Sequence, residues 1–155
     1  MKSGLYISRS PEETRALAAR LGEFLAPGDV VALKGELGSG KTEFVHGLAL
    51  GLGVPPQMPV ASPSFTLAHE YPGRLVLVHI DLYRLEKVPP EMLPDLEEYL
   101  YGGQVVAIEW AERLESLLPQ DYLEVRLEII GESERELTFI GHGPRSRELI
   151  RQLMK

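Results

Sequence analysis

At 155 residues, with 44% apolar and 25% charged side chains, the chain reads as one globular domain over residues 1–155, long enough to bury a core. Its net charge of −7 offers no electrostatic footprint for nucleic acid or an anionic membrane, so any RNA partner is expected to be held by another protein. Cysteine is absent, which excludes disulfides and thiolate metal sites, and no apolar run reaches membrane-spanning length. A cytoplasmic protein with no membrane contact is the expectation.

In chain order, Leu5-Tyr6-Ile7 predicts an opening strand. Ser10-Pro11-Glu12-Glu13 is a helix start: serine at the N-cap, proline at the first helical position and glutamate three residues after the serine. Leu17, Leu21 and Phe24/Leu25 are the expected buried stripe of that helix, which Pro27-Gly28 ends. Asp29 to Lys34 is a short apolar run that suits a buried strand.

Gly35-Glu36-Leu37-Gly38-Ser39-Gly40-Lys41-Thr42 follows directly and reads G-x-x-x-x-G-K-T, the phosphate-binding loop of nucleoside triphosphatases. After it, Phe44, Leu48 and Leu52 recur at helical spacing beside Val45 and Ala49, up to Gly53 and Pro55-Pro56. Strand, glycine-rich loop, helix is the order the chemistry needs. Successive backbone N–H groups curl around phosphates, and the new helix aims its positive end at them. Lys41 can reach the β- and γ-phosphates, and Thr42 offers a hydroxyl to Mg²⁺.

Gly53 to Ser64 carries four prolines and no periodicity, so it reads as a long loop, of a kind that is often functional. Within it, Ser62-Pro63-Ser64-Phe65 is either a rigid turn or a mobile hydroxyl segment that orders on the γ-phosphate. Phe65 to Tyr71, the turn Pro72-Gly73, and Leu75 to Ile80 predict a hairpin whose second arm is central in a sheet and delivers Asp81. Pro89 to Tyr101 reads as an acidic helix with Met92, Leu93, Leu96 and Leu100 on its apolar side. Val105 to Ile108 is a further buried strand, ending at Glu109-Trp110, and Ala111 to Leu118 a short helix. Leu123–Ile130 and Glu136–Ile140 alternate around Gly131-Glu132-Ser133-Glu134, predicting a second hairpin at a sheet edge. A basic helix from Pro144 closes the chain, its arginines read as a solvated face.

Ligands of open α/β sheets bind beyond the carboxyl ends of the strands. Asp81 and Glu109 both stand at such ends. Thr42 with one or both of these carboxylates is a hard-oxygen set suited to Mg²⁺, and either acid can also orient or deprotonate a water; beside the phosphate loop this reading is preferred to a strand-end carboxylate that caps the next helix. Trp110 reads as a core residue or an anchor for a partner, and the four histidines as structural or surface residues. The chain lacks asparagine, hence an N-K-x-D guanine element, and Asp81 is followed by Leu-Tyr-Arg rather than a D-x-x-G switch; ATP is therefore preferred to GTP. A small-molecule kinase, and an ATP-gated interaction module without essential hydrolysis, stay open beside an ATPase.

Four stretches taken together resemble one family: the loop Gly35–Thr42, Ser62-Pro63-Ser64-Phe65-Thr66-Leu67, His79-Ile80-Asp81-Leu82-Tyr83-Arg84-Leu85 and Ile108-Glu109-Trp110 are similar to the bacterial TsaE (YjeE) proteins. The resemblance implies an α/β P-loop NTPase fold: a single three-layer domain with a mixed, mostly parallel central sheet flanked by helices, and a C-terminal β-hairpin. It implies slow hydrolysis of ATP with Mg²⁺ in support of the TsaB–TsaD heterodimer, which forms N6-threonylcarbamoyladenosine in tRNA; tRNA is contacted only indirectly. It further implies that Lys41 and the loop amides hold phosphates, that Thr42 and Glu109 bind the metal, and that Asp81 supports metal or water. Ser64 reads the γ-phosphate, and Trp110 sits beside the site. Adenine is expected near Ser10 and near Glu132 in the last hairpin turn. The family usually has S-P-T-F where this chain has Ser64 at the third position, which keeps the hydroxyl and loses the methyl group.

Overall fold

The computed structural model describes residues 3–61, 63, 68–114 and 116–155. Its centre is one seven-stranded sheet in the order β1-β7-β6-β2-β5-β4-β3. The strands are β1 (Ser3–Ser8), β2 (Val30–Gly35), β3 (Ala68–Tyr71), β4 (Leu77–Asp81), β5 (Val105–Glu109), β6 (Leu123–Ile129) and β7 (Arg135–Gly141); the helices are α1 (Pro11–Phe24), α2 (Lys41–Gly51), α3 (Leu93–Tyr101) and α4 (Pro144–Leu153). The fold is α/β with a mixed sheet, as expected, but the sheet is not mostly parallel. β2 pairs in parallel with β5 and β6, and β4 with β5, while the other three pairings are antiparallel.

The strands in the middle are apolar on both faces and are buried on both. One face carries Val31, Leu33, Val105, Ala107, Val125 and Phe139 beneath α1, α2 and α4; the other carries Val30, Ala32, Val78, Ile80, Val106 and Ile108 beneath α3 and the segment after β5. Period-two alternation assigns each residue to its layer. Helices α1 and α2 meet almost backbone to backbone. A Cβ on Gly51 would stand 2.1 Å from the Ala19 carbonyl oxygen, so only glycine permits that approach. No described helix is long and apolar enough to cross a membrane.

Several elements differ from the sequence reading. The β6–β7 hairpin is not at an edge, because β6 adds in parallel to β2 and the first strand of the chain, β1, covers β7. Residues 89–101 split into a 3₁₀ turn at Pro90–Met92 and α3, since Pro94, which lacks an N–H, fits only the first turn of an α-helix; Leu93 is consequently exposed. The helix expected over Ala111–Leu118 is a single 3₁₀ turn, Ala111–Leu114. Phe24 faces solvent while Leu25 takes the buried place. The C-terminal arginines are not merely solvated: Arg145 pairs with buried Asp29 at 2.9 Å and donates to the Phe24 carbonyl.

Candidate phosphate and metal site

The loop between β2 and α2 leads into a helix start that no side chain caps, although its Ser39 N–H already donates to the Glu36 carbonyl at 3.0 Å. Gly38 and Gly40 take φ of +83° and +103°, left-handed conformations that turn the backbone back over the strand. Gly40 is the N-cap of α2, and no side chain caps that helix. By contrast, Ser10 accepts the Glu13 N–H of α1 at 3.1 Å, and Asp121 accepts from Arg145 and Ser146 at the start of α4. The first-turn amides of α2 are therefore left to a ligand, at the positive end of the helix dipole. The buried Ser39 hydroxyl has no hydrogen-bond partner among the described residues. A buried hydroxyl without a partner is costly, and an anion in this cradle would satisfy it. The side chains of Glu36 and Leu37 point outward, Leu37 being 69% exposed, so those two positions serve through their backbone.

Lys41, the first residue of α2, is only 5% exposed. Its Nζ donates to the carbonyls of Gly35 at 2.5 Å and Glu36 at 3.0 Å, and stands 4.6 Å from the centre of the Trp110 ring. Burial lowers its pKa from the ordinary lysine value, against the opposing pull of Glu109, Asp81 and Glu112. Those carboxylates therefore lie within electrostatic reach of the Lys41 ammonium. Asp81 and Glu109 lie opposite each other in the parallel β4–β5 register, on the sheet face that carries α2. Thr42 donates from its hydroxyl to Glu109 Oε2 at 3.5 Å.

Thr42, Asp81 and Glu109 form an all-oxygen donor set of the kind Mg²⁺ prefers. Among the described residues no three His, Cys, Asp or Glu side chains cluster tightly enough to hold a metal unaided. A cation here would complete its shell with phosphate oxygens and water, as Mg²⁺ ordinarily does. The residues present fit that group.

The segment after β4 is pinned. Asp81 Oδ1 accepts the Tyr83 N–H at 3.0 Å, and Arg113 Nη1 donates to the carbonyls of Leu82, Tyr83 and Leu85 at 2.6, 2.6 and 2.8 Å. Arg113 also lies 4.9 Å from the Trp110 ring centre, with Tyr83 on the same indole. Trp110 holds φ of +61°, a strained value for a residue with a bulky side chain. Its indole is partly buried against the core layer of β4 and β5 and reaches the Lys41 ammonium on the other side.

The two outlying residues reach the same rim of the sheet. Ser10 follows β1, whose Ser8 pairs with Arg135, and Arg135 Nη2 donates to the Gly38 carbonyl at 3.2 Å. The Ser10 hydroxyl itself is spent on capping α1. Glu132 is exposed on the β6–β7 turn, and its carbonyl accepts from Arg135 at 3.4 Å. Ser64, with Ser62 and residues 65–67, lies outside the described residues.

Sequence reasoning missed Arg113, Arg135 and His79. The two arginines act across long sequence distances, which no local pattern shows. His79 was legible in part: it stands two residues before Asp81, hence on the same strand face.

An α/β protein with an uncapped glycine-rich loop facing two strand-end carboxylates is the class these features define. The family described as threonylcarbamoyl adenosine biosynthesis protein TsaE matches residues 8–137. The tRNA threonylcarbamoyladenosine biosynthesis protein TsaE of Bacillus subtilis is 41% identical over 156 residues, with 100% of this chain and 96% of that protein covered. The protein of that name from Treponema pallidum is 42% identical over 132 residues, covering 85% and 96%. The crystal structure of Bacillus subtilis YdiB superposes with a TM-score of 0.81 at 37% identity, covering 99% of this chain and 95% of that one. The chain belongs to the TsaE family.

Proposed function

We propose that this chain is a P-loop ATPase, a single domain acting in the cytoplasm, that supports a TsaB–TsaD pair in forming N6-threonylcarbamoyladenosine in tRNA. The names of its relatives support the pathway. One observation carries the ATPase reading: Lys41 and Thr42, at an uncapped helix start, face Asp81 and Glu109 on neighbouring strand ends.

In this reading the loop amides from Gly38 to Thr42 bind the β- and γ-phosphates. Lys41 exchanges the carbonyls of Gly35 and Glu36 for phosphate oxygens; its pre-existing burial means that little further desolvation accompanies the move. Thr42, Glu109 and Asp81 would hold Mg²⁺, which supplies charge neutralisation at the phosphates when bound. Whichever of Asp81 and Glu109 is not a direct ligand orients the attacking water. Ser64, carried by resemblance alone, senses the γ-phosphate. The acidic surface suits a protein that biases a tRNA-bound complex without gripping tRNA itself. Its ATP and ADP states must then differ in affinity for that complex, or hydrolysis would shift nothing.

The test is capture of a purified TsaB–TsaD pair by this chain in ATP, in ADP and in a non-hydrolysable analogue, with modified adenosine counted over one and many rounds. Nucleotide-dependent capture, with the analogue supporting one round only, is the expected result. Capture indifferent to nucleotide, or many rounds with the analogue, would rule out the ATPase role.

A further inference from the structure

His79 is the one histidine fully buried in the middle of the sheet. It belongs to β4, two residues before Asp81, so the strand's period of two turns it to the α2 face. There its Nε2 lies 2.6 Å from Glu109 Oε2, and Glu109 is itself only 3% exposed. Its other ring nitrogen, Nδ1, is buried without a hydrogen-bond partner among the described residues.

This combination is costly for a residue that only fills space. An unsatisfied buried polar atom loses its hydration without replacement and is destabilising. Leu77, Val78 and Ile80 fill the adjoining positions of the same strand with no such cost. The contact with Glu109 is what the imidazole adds. An ionised carboxylate can only accept, so Nε2 is the donor in this pair. The same Oε2 also receives the Thr42 hydroxyl at 3.5 Å. It is therefore held from below by the sheet and from above by the first turn of α2.

We propose that His79 is a positioning residue, whose Nε2–H fixes the Glu109 carboxylate in the orientation that faces Thr42 and the phosphate loop. It touches neither nucleotide nor metal. A glutamate has three side-chain torsions, and this donor removes that freedom at the Glu109 carboxylate. This rests on the reading of Glu109 as an acid of the Mg²⁺–ATP site. Outer partners of ligating groups are worth roughly 10–100-fold in metal affinity or activity when removed.

The experiment has two arms, both on the full chain. In nitrogen-15-labelled protein without nucleotide, the ring nitrogens of His79 report the tautomer. A protonated Nε2 and a shift of the Nε2 resonance in Glu109→Gln are expected. An unprotonated Nε2, or a spectrum indifferent to Glu109→Gln, overturns the proposal whether or not the chain hydrolyses ATP.

The second arm compares His79→Leu with His79→Gln, whose amide N–H reaches about as far as the imidazole. Turnover is titrated with Mg²⁺, and ATP binding is measured in EDTA. His79→Leu should lose about tenfold or more in Mg²⁺-dependent turnover, with metal-free ATP binding within about twofold and most of the loss recovered by His79→Gln. Equal losses in both variants, or a parallel loss of metal-free binding, would make His79 a packing residue and overturn the proposal. A wild-type chain without turnover refutes the ATPase reading instead, and the spectrum of the first arm then decides the role of His79.

Discussion

Arg135 Nη2 donates to the carbonyl oxygen of Gly38 at 3.2 Å, tying the start of β7 to the crest of the phosphate loop. Its Nη1 simultaneously holds the carbonyls of Gly131, Glu132 and Glu134, so one guanidinium joins the β6–β7 turn to the loop. Arg135→Ala should loosen both segments. Weaker nucleotide binding, by about tenfold for the loss of one charge-assisted contact, and faster amide exchange at Gly38 and Ser39 are expected. Titration with a fluorescent nucleotide and hydrogen exchange check the two effects; unchanged loop exchange would separate Arg135 from the loop.

Lys41→Ala removes the only side chain that donates to the loop carbonyls of Gly35 and Glu36 among the described residues. Nucleotide binding should be abolished at any practical concentration, while the fold, held by the α1–α2 contact and the sheet, persists. Calorimetric titration beside a circular dichroism melt reads both. Retained binding would show that the loop amides suffice alone.

Asp81→Ala and Glu109→Ala should behave differently from Lys41→Ala, because in the proposed site the two acids would hold the cation rather than the phosphates. Turnover is expected to fall by about 10²-fold or more, with nucleotide affinity changed less than tenfold. Steady-state phosphate release and equilibrium binding make the comparison. Three variants with wild-type hydrolysis would remove the assignment.

Asp121 gives a prediction about stability and pH. Burial alone would raise its pKa, but the hydrogen bonds from Ser146 and from the backbone of Arg145 prevail and hold it below the ordinary aspartate value. A depressed folded pKa means that the unfolded chain binds the proton more tightly. The stabilisation is therefore full above the unfolded pKa of about 3.9 and is lost as pH falls through the lower folded value. Asp121→Ala, which uncaps α4, should cost about 1 kcal/mol at neutral pH, a melting shift of roughly 2–4 °C for a chain of this size. Melts of both proteins should converge in acid. A difference that persists there would show that the carboxylate's charge is not the cause.

What the sequence determined by itself was local. Successive glycines with Lys41 and Thr42, between an apolar run and a helical repeat, predict the strand, left-handed glycine turn and helix that the structure has, because backbone geometry over eight residues suffices to set them. Asp81 and Glu109 were legible for a similar reason, since each ends a buried run and strand ends carry the ligands of such sheets. Ser10 as the cap of α1 needed only its neighbours. Tertiary structure decided the rest. The place of β1 outside β7, and the interior position of the β6–β7 hairpin, depend on hydrogen bonds between segments distant in sequence, Ser3 beside Ile140 and Val31 beside Leu123, with no local signature. Arg135 at Gly38 follows from that pairing, and Arg113 on the strand-end carbonyls and His79 under Glu109 follow from the pairing of β4 with β5. Sequence patterns fix which face a side chain takes; only the assembled sheet fixes what stands opposite it.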